Sequence, residues 1–147
     1  MAVNFRVVED RLSPNFRLSE FANSRDRNSV LINQEFLEFA RLLQVFRNWY
    51  NRPINITSGF RTPEFNRAIG GASNSAHLRG LAVDFRLPTE WGSFTRERQN
   101  EFLNNVRRRW EEICRQNGRF AGVIFYDTFV HIGFWHVPLF QDRRTRR

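Results

Sequence analysis

Apolar residues recur at three- and four-residue intervals from Phe36 through Phe39, Ala40, Leu42, Leu43 and Phe46 to Trp49 and Tyr50. That spacing gathers one stripe on one face and predicts an amphipathic helix that starts at Asn33 and ends before Pro53. A second stripe, Phe102, Leu103, Val106, Trp110, Ile113 and Cys114, predicts a long helix from about Thr95 to Asn117, with Gly118 past its end. Elsewhere the period shortens to two. Ile54 and Ile56 alternate with Asn55 and Thr57, and in Leu81 to Leu87 the residues Ala82 and Asp84 share one face while Leu81, Val83 and Phe85 share the other. Two closing strands, Gly122 to Tyr126 and Phe129 to Trp135, flank Asp127-Thr128 as a tight turn. Thr62-Pro63 reads as a cap followed by proline at the first helical position, opening a short helix that stops at Gly70-Gly71. Ser19 is a candidate N-cap for a brief turn, and the polar run Asn23 to Ser29 reads as a loop.

Helices interspersed with short strands and closed by a hairpin predict an α+β domain with a mostly antiparallel sheet packed with helices. With 147 residues, 41% of them apolar and 16 of them Phe, the chain has material for one packed core without disulfides. We expect a single domain over residues 1–140 and a flexible basic tail over 141–147. Cys114 is the only cysteine, which excludes an intrachain disulfide or a multi-thiolate metal site; on an apolar stripe it reads as a small buried group.

The formal charge is +8, and all 23 basic residues are Arg. Such a balance favours polyanions in general: nucleic acid, teichoic acid, lipopolysaccharide or the carboxylates of peptidoglycan. The Arg107-Arg-Arg109 and Arg143-Arg-Thr-Arg-Arg147 clusters motivate a nucleic-acid reading, but the aromatic residues fall at core spacing rather than between the basic ones, which argues against it. The terminal arginines would equally draw the protein to anionic cell-envelope polymers. No apolar stretch has the length of a bilayer span, and the N-terminus lacks the pattern of a signal peptide, so synthesis in the cytoplasm is expected.

Candidate chemistry concentrates in Ser75-Ala-His77-Leu-Arg-Gly80-Leu-Ala82-Val-Asp84. His77 and Asp84 converge only if the chain reverses between them, and Gly80 permits the reversal. A third donor must come from elsewhere, and His131 stands on a late strand whose neighbours Val130 and Ile132 point to the core. Two His and one Asp with a fourth position open is what catalytic zinc needs. Spacing alone leaves these residues equally readable as hydrogen-bonded polar side chains.

The stretch from Ile56-Thr-Ser-Gly-Phe-Arg61 to Asp84, with its Ser-x-His-x-x-Gly-x-Ala-x-Asp motif, resembles the zinc D-Ala-D-Ala carboxypeptidase family, subfamily A of the fifteenth metallopeptidase family. Leu12-Ser-Pro-Asn-Phe-Arg-Leu-Ser-Glu-Phe21 and Phe125-Tyr-Asp-Thr-Phe-Val-His131 are similar to it in the same order, so the likeness covers roughly residues 12 to 135. The resemblance implies a hedgehog/DD-peptidase-like fold, Zn2+ bound by His77, Asp84 and His131, and Arg61 near the metal to hold a substrate carboxylate or a developing oxyanion. It implies a cell-wall lytic peptidase acting on peptidoglycan stem peptides at the cell wall or periplasm, of the kind carried by phages. Ser75 is expected to support the His77 loop by hydrogen bonding.

The chain also departs from its relatives. Many read His-Val-Asp at the last ligand, where this chain has His131-Ile132-Gly133. Thr128 stands where other branches carry an acid or His, which leaves Asp127 as the candidate general base and His136 as a weaker one. The missing acid keeps open a catalytically impaired, peptidoglycan-binding pseudoenzyme.

Overall fold

The computed structural model of the protein describes residues 10–22 and 30–145. The loop expected at Asn23 to Ser29 lies outside the described residues, as do Arg146 and Arg147. Two short strands, β1 (Arg11–Ser13) and β2 (Phe16–Arg17), precede a 3-10 turn at Leu18–Phe21. Ser19 does not cap that turn. Arg17 occupies the N-cap, and the Ser19 hydroxyl instead bonds to Asp10.

Helix α1 spans Gln34–Tyr50, with the Asn33 side chain accepting the Phe36 N–H at 2.8 Å. Helix α3 spans Arg96–Gln116 and starts where Thr95 accepts the Arg98 N–H at 3.1 Å. Both caps satisfy backbone donors that the first helical turn leaves without partners. Between them lie β3 (Ile56–Ser58), the short helix α2 (Pro63–Ala68) with Thr62 as its cap, and β4 (Ala82–Arg86). After α3 come β5 (Phe120–Phe125), β6 (Phe129–Trp135) and β7 (Leu139–Asp142).

The five-stranded sheet has the order β3-β4-β6-β5-β7, antiparallel throughout except for the parallel β5/β7 pair. The α+β class with an antiparallel-dominated sheet is therefore the observed one. Alternation gives this sheet two unlike faces. Val83 and Phe85 of β4, Val123 and Phe125 of β5, and Val130, Ile132 and Phe134 of β6 are buried in the core. α1 and α3 cover that face: Phe39 and Phe46 of α1 meet Trp110 of α3 edge-on at 5.8 and 6.0 Å, and Phe134 stacks on Trp110 at 6.1 Å. Each such fully buried large side chain contributes about 1.5–3 kcal/mol. The Trp110 indole N–H also donates to the Gly133 carbonyl at 3.0 Å, which ties the core to the strand that bears His131.

The tail from Gln141 onward is expected to fray, and over residues 141–145 the structure differs. Gln141 and Asp142 belong to β7, Arg143 N–H donates to Phe125 O at 2.9 Å, and Arg144 bonds to both Asp142 and Asn100. β5 would otherwise present an unpaired edge, and β7 covers it. β7, just before the arginine run, is a four-residue strand too short to announce itself by period. Several arginines sit over aromatic rings: Arg107 over Phe140 at 3.6 Å, Arg98 over Phe94 at 3.9 Å and Arg109 over Trp49 at 5.2 Å. A planar guanidinium stacks in this way where an ammonium does not, so part of the basic surface has a packing role. No helix among the described residues is long and apolar enough to cross a membrane.

Candidate metal centre

The face of the sheet opposite α1 and α3 carries the cluster. Asp84 on β4 and His131 on β6 are directly opposite in the antiparallel register, an arrangement that holds Cβ atoms about 4.5–5.5 Å apart. His131 Nδ1 lies 2.9 Å from Asp84 Oδ1. His77 arrives from a 3-10 turn at Ala76–Arg79, where Ser75 Oγ accepts its backbone N–H at 3.2 Å. Gly80 has φ +68°, a left-handed conformation that lets the chain fold back into β4. His77 Nε2 thereby comes to 3.1 Å from Asp84 Oδ1 and 3.2 Å from His131 Nδ1.

Those three donor atoms form a nearly equilateral triangle. Tetrahedral ligands bonded at about 2.0 Å to zinc stand about 3.3 Å from one another, so the spacing suits a small divalent cation. The protonation chemistry agrees. His77 Nδ1 sits 2.7 Å from the Gly59 carbonyl, and as the neutral tautomer it donates there and leaves the Nε2 lone pair facing the triangle. A lone pair and a carboxylate oxygen then face each other at hydrogen-bonding distance, which calls for a cation between them. Burial pushes the His77 pKa below the ordinary imidazole range, against the upward pull of Asp84. Burial opposes ionisation of Asp84 too, but hydrogen bonding, first of all to the His131 ring, holds its carboxyl well below the usual carboxylate range. His77 and Asp84 are buried and His131 is half-buried, so the triangle is closed on one side and open on the other.

Arg61 completes the inner site. Its Nε donates to Ser58 Oγ at 3.2 Å, Nη1 to Asn66 Oδ1 at 3.3 Å and Nη2 to Asp84 Oδ2 at 3.4 Å. One Asp84 oxygen thus faces the imidazoles and the other faces the guanidinium. Asn66 on α2 is 4% exposed, and its amide also donates to the Ala72 carbonyl at 3.0 Å. Sequence patterns give Asn66 no role, and Gly71 only that of a helix stop. A polar residue inside a short helix carries no signal until α2 is docked beside Arg61.

A cleft of about 420 Å³ opens over the cluster, walled by Tyr126, Phe129, Trp135 and β7. Asp127 does not line it. Tyr126 lines it, whereas Asp127 stands in the bend between β5 and β6. The Asp127 carboxylate accepts the Thr145 N–H at 2.9 Å and the Thr145 hydroxyl at 2.6 Å, and it borders a different cavity with Trp91, Gln99 and Arg144. His136 is exposed against Trp135, also outside the cleft. Among the described residues, Asp84 is the one carboxylate lining the cleft.

A family model described as Peptidase M15 matches residues 14–133, a span that includes Arg61, His77, Asp84 and His131. The chain belongs to the peptidase M15 family. M15 peptidases are zinc-dependent hydrolases, and the His77, Asp84 and His131 side chains of this M15 member could hold a metal ion. No curated protein matches the chain. The M15 match ends at Gly133, so β7 lies beyond it.

Proposed function

We propose that this M15 peptidase hydrolyses amide bonds in peptidoglycan stem peptides, of the D-alanyl-D-alanine type, with Zn2+ held by His77, Asp84 and His131. The observation that supports this reading most is the triangle of donor atoms 2.9–3.2 Å apart, open to a cleft on its His131 side. Zinc in such a site polarises a carbonyl and lowers the pKa of a bound water toward about 7. The chain's own residues supply the remainder. The Gly59 carbonyl orients His77, and Asp84 brings negative charge into a buried position. Arg61, clamped at three points, offers N–H groups to negative charge developing on a substrate oxygen. Phe129, Trp135 and Leu139 give the cleft apolar walls that exclude water from a bound peptide. A net charge of +8 suits an anionic cell wall as the place of action, in a lytic role.

The lack of a second carboxylate in the cleft, among the described residues, favours a second reading: a module that binds stem peptides without cleaving them. Zinc-loaded protein incubated with muropeptides and followed by mass spectrometry separates the two. Shortened stem peptides are the expected result, and intact peptides at high enzyme concentration would favour binding alone. Metal analysis of the native protein beside His77→Ala and Asp84→Ala tests the ligand set. One zinc per chain in the wild type, lost in both variants, is expected; undiminished zinc in either variant would overturn it.

A further inference from the structure

Resting on the peptidase reading above, we propose that Arg143 recognises a carboxylate of the bound peptide, which makes β7 the wall of the cleft that selects substrates. Register sets β7 beside the cluster. Ile124 of β5 is opposite His131 on one side and Gln141 of β7 on the other. Alternation along β7 and its continuation therefore puts Leu139, Gln141 and Arg143 on the face of His131, while Phe140 turns to the core and meets Phe125 at 5.1 Å. All three residues line the cleft that holds the cluster.

Charge supplies the second step. Among the described residues, three side chains of fixed charge line this cleft: Arg61, Asp84 and Arg143. Arg61 and Asp84 are matched to each other at 3.4 Å. Arg143 has no carboxylate partner among the described residues, whereas the next residue, Arg144, pairs with Asp142 at 2.8 Å. Arg143 Nε donates to Gln141 Oε1 at 2.8 Å, a bond that orients the guanidinium plane from its own strand. An oriented arginine without a counter-ion at the mouth of a cleft is suited to a carboxylate, which it engages through paired N–H donors. β7 also stands outside the residues that the family model matches, so this wall belongs to the part of the chain least bound to the shared pattern.

The carboxylate has two sources in a stem peptide: the free C-terminus, or the α-carboxylate of an internal γ-linked D-glutamate. Three probes distinguish them: acetylated D-Ala-D-Ala, its C-terminal carboxamide, and a carboxamide-ended peptide that contains γ-linked D-glutamate. Calorimetric titration of zinc-loaded protein with each reads the preference without turnover. The wild type should bind one carboxylate probe about 10- to 100-fold more tightly than the plain carboxamide, the range of a charge-assisted hydrogen-bonded pair. Arg143→Gln should lose that preference and Arg143→Lys recover part of it; both keep the main-chain bond to Phe125, and circular dichroism checks that they fold. Where hydrolysis is measurable, the loss should fall on KM more than on kcat. Equal affinity of the wild type for acid and amide, no binding of any probe, or an undiminished acid preference in Arg143→Gln each overturns the proposal. Failure of the wild type to cleave muropeptides strikes the peptidase reading instead, and the calorimetric ratio still decides the role of Arg143.

Discussion

Gly133→Asp writes back the acid that many relatives carry two residues after the last ligand, so motif logic treats it as a repair. A Cβ at position 133 would stand 2.4 Å from the Leu81 carbonyl oxygen, 2.7 Å from Ala82 Cβ and 2.9 Å from Ala82 Cα. Two of these three atoms are main chain, and no rotamer change moves them. The Leu81 carbonyl also accepts the Phe134 N–H at 2.9 Å, so relief of the clash must open the end of the β4/β6 ladder, two residues from the Asp84–His131 pair. Overpacking of a close contact costs about 1–3 kcal/mol, and rigid backbone on the receiving side argues for the upper half of that range. A domain near this size loses about 2–4 °C in Tm per kcal/mol, so a drop of about 4–12 °C is expected for both Gly133→Ala and Gly133→Asp. Zinc affinity should fall alongside, because the same displacement separates the donor atoms. Calorimetric melting of the metal-free proteins and competitive zinc titration check both effects. A Gly133→Ala variant that melts with the wild type and binds zinc equally well, or a Gly133→Asp variant with raised turnover, would refute the reasoning.

Three further outcomes follow from the site and the core. Gly71→Ala places a Cβ 2.1 Å from Asn66 Oδ1 and 3.1 Å from Arg61 Nη1, so it should unseat Asn66 and lower kcat/KM about tenfold or more by loosening Arg61. Steady-state kinetics beside a thermal melt check it, and unchanged kinetics would show that Asn66 does not position Arg61. Asp127→Asn should leave kcat of the zinc-loaded enzyme close to that of the wild type, because the carboxylate is bound by Thr145 away from the cleft; a loss of several orders of magnitude would restore Asp127 as the base. Burial pushes the Cys114 thiol up to about 12, so the native protein should resist alkylation at mildly alkaline pH and react only on unfolding, as read by mass spectrometry. The unfolded thiol ionises near about 8.5, so this group makes the fold less stable as pH rises from there toward the native value.

Much of the fold was legible because it rests on local signals. Asn33 and Thr95 cap the two long helices, Thr62 with Pro63 opens α2, and the period-two runs mark β4 and β6. The candidate donors were legible for a related reason: a His, a Gly that reverses the chain and an Asp on the next strand lie within one short segment. Asp127 illustrates the limit. It stands near His131 in the chain, but its place in the bend after β5 and two bonds to Thr145 direct it elsewhere. Ser19, a plausible cap by residue type, is instead bonded to Asp10.

Local patterns alone carried the α+β class, the extents of the long helices, the Thr62 cap, the turn at Gly80 and the three residue types able to share a cation, since each depends on neighbours a few positions away. Packing across the sheet settled that Asn66 braces Arg61, that a Cβ at Gly133 meets main chain, and that Leu139–Asp142, just before the arginine run, forms a strand on the cleft. Those outcomes arise from backbones meeting across long separations, where the distance between two carbonyls or the register of a strand is set by the whole packed sheet. No local pattern encodes them.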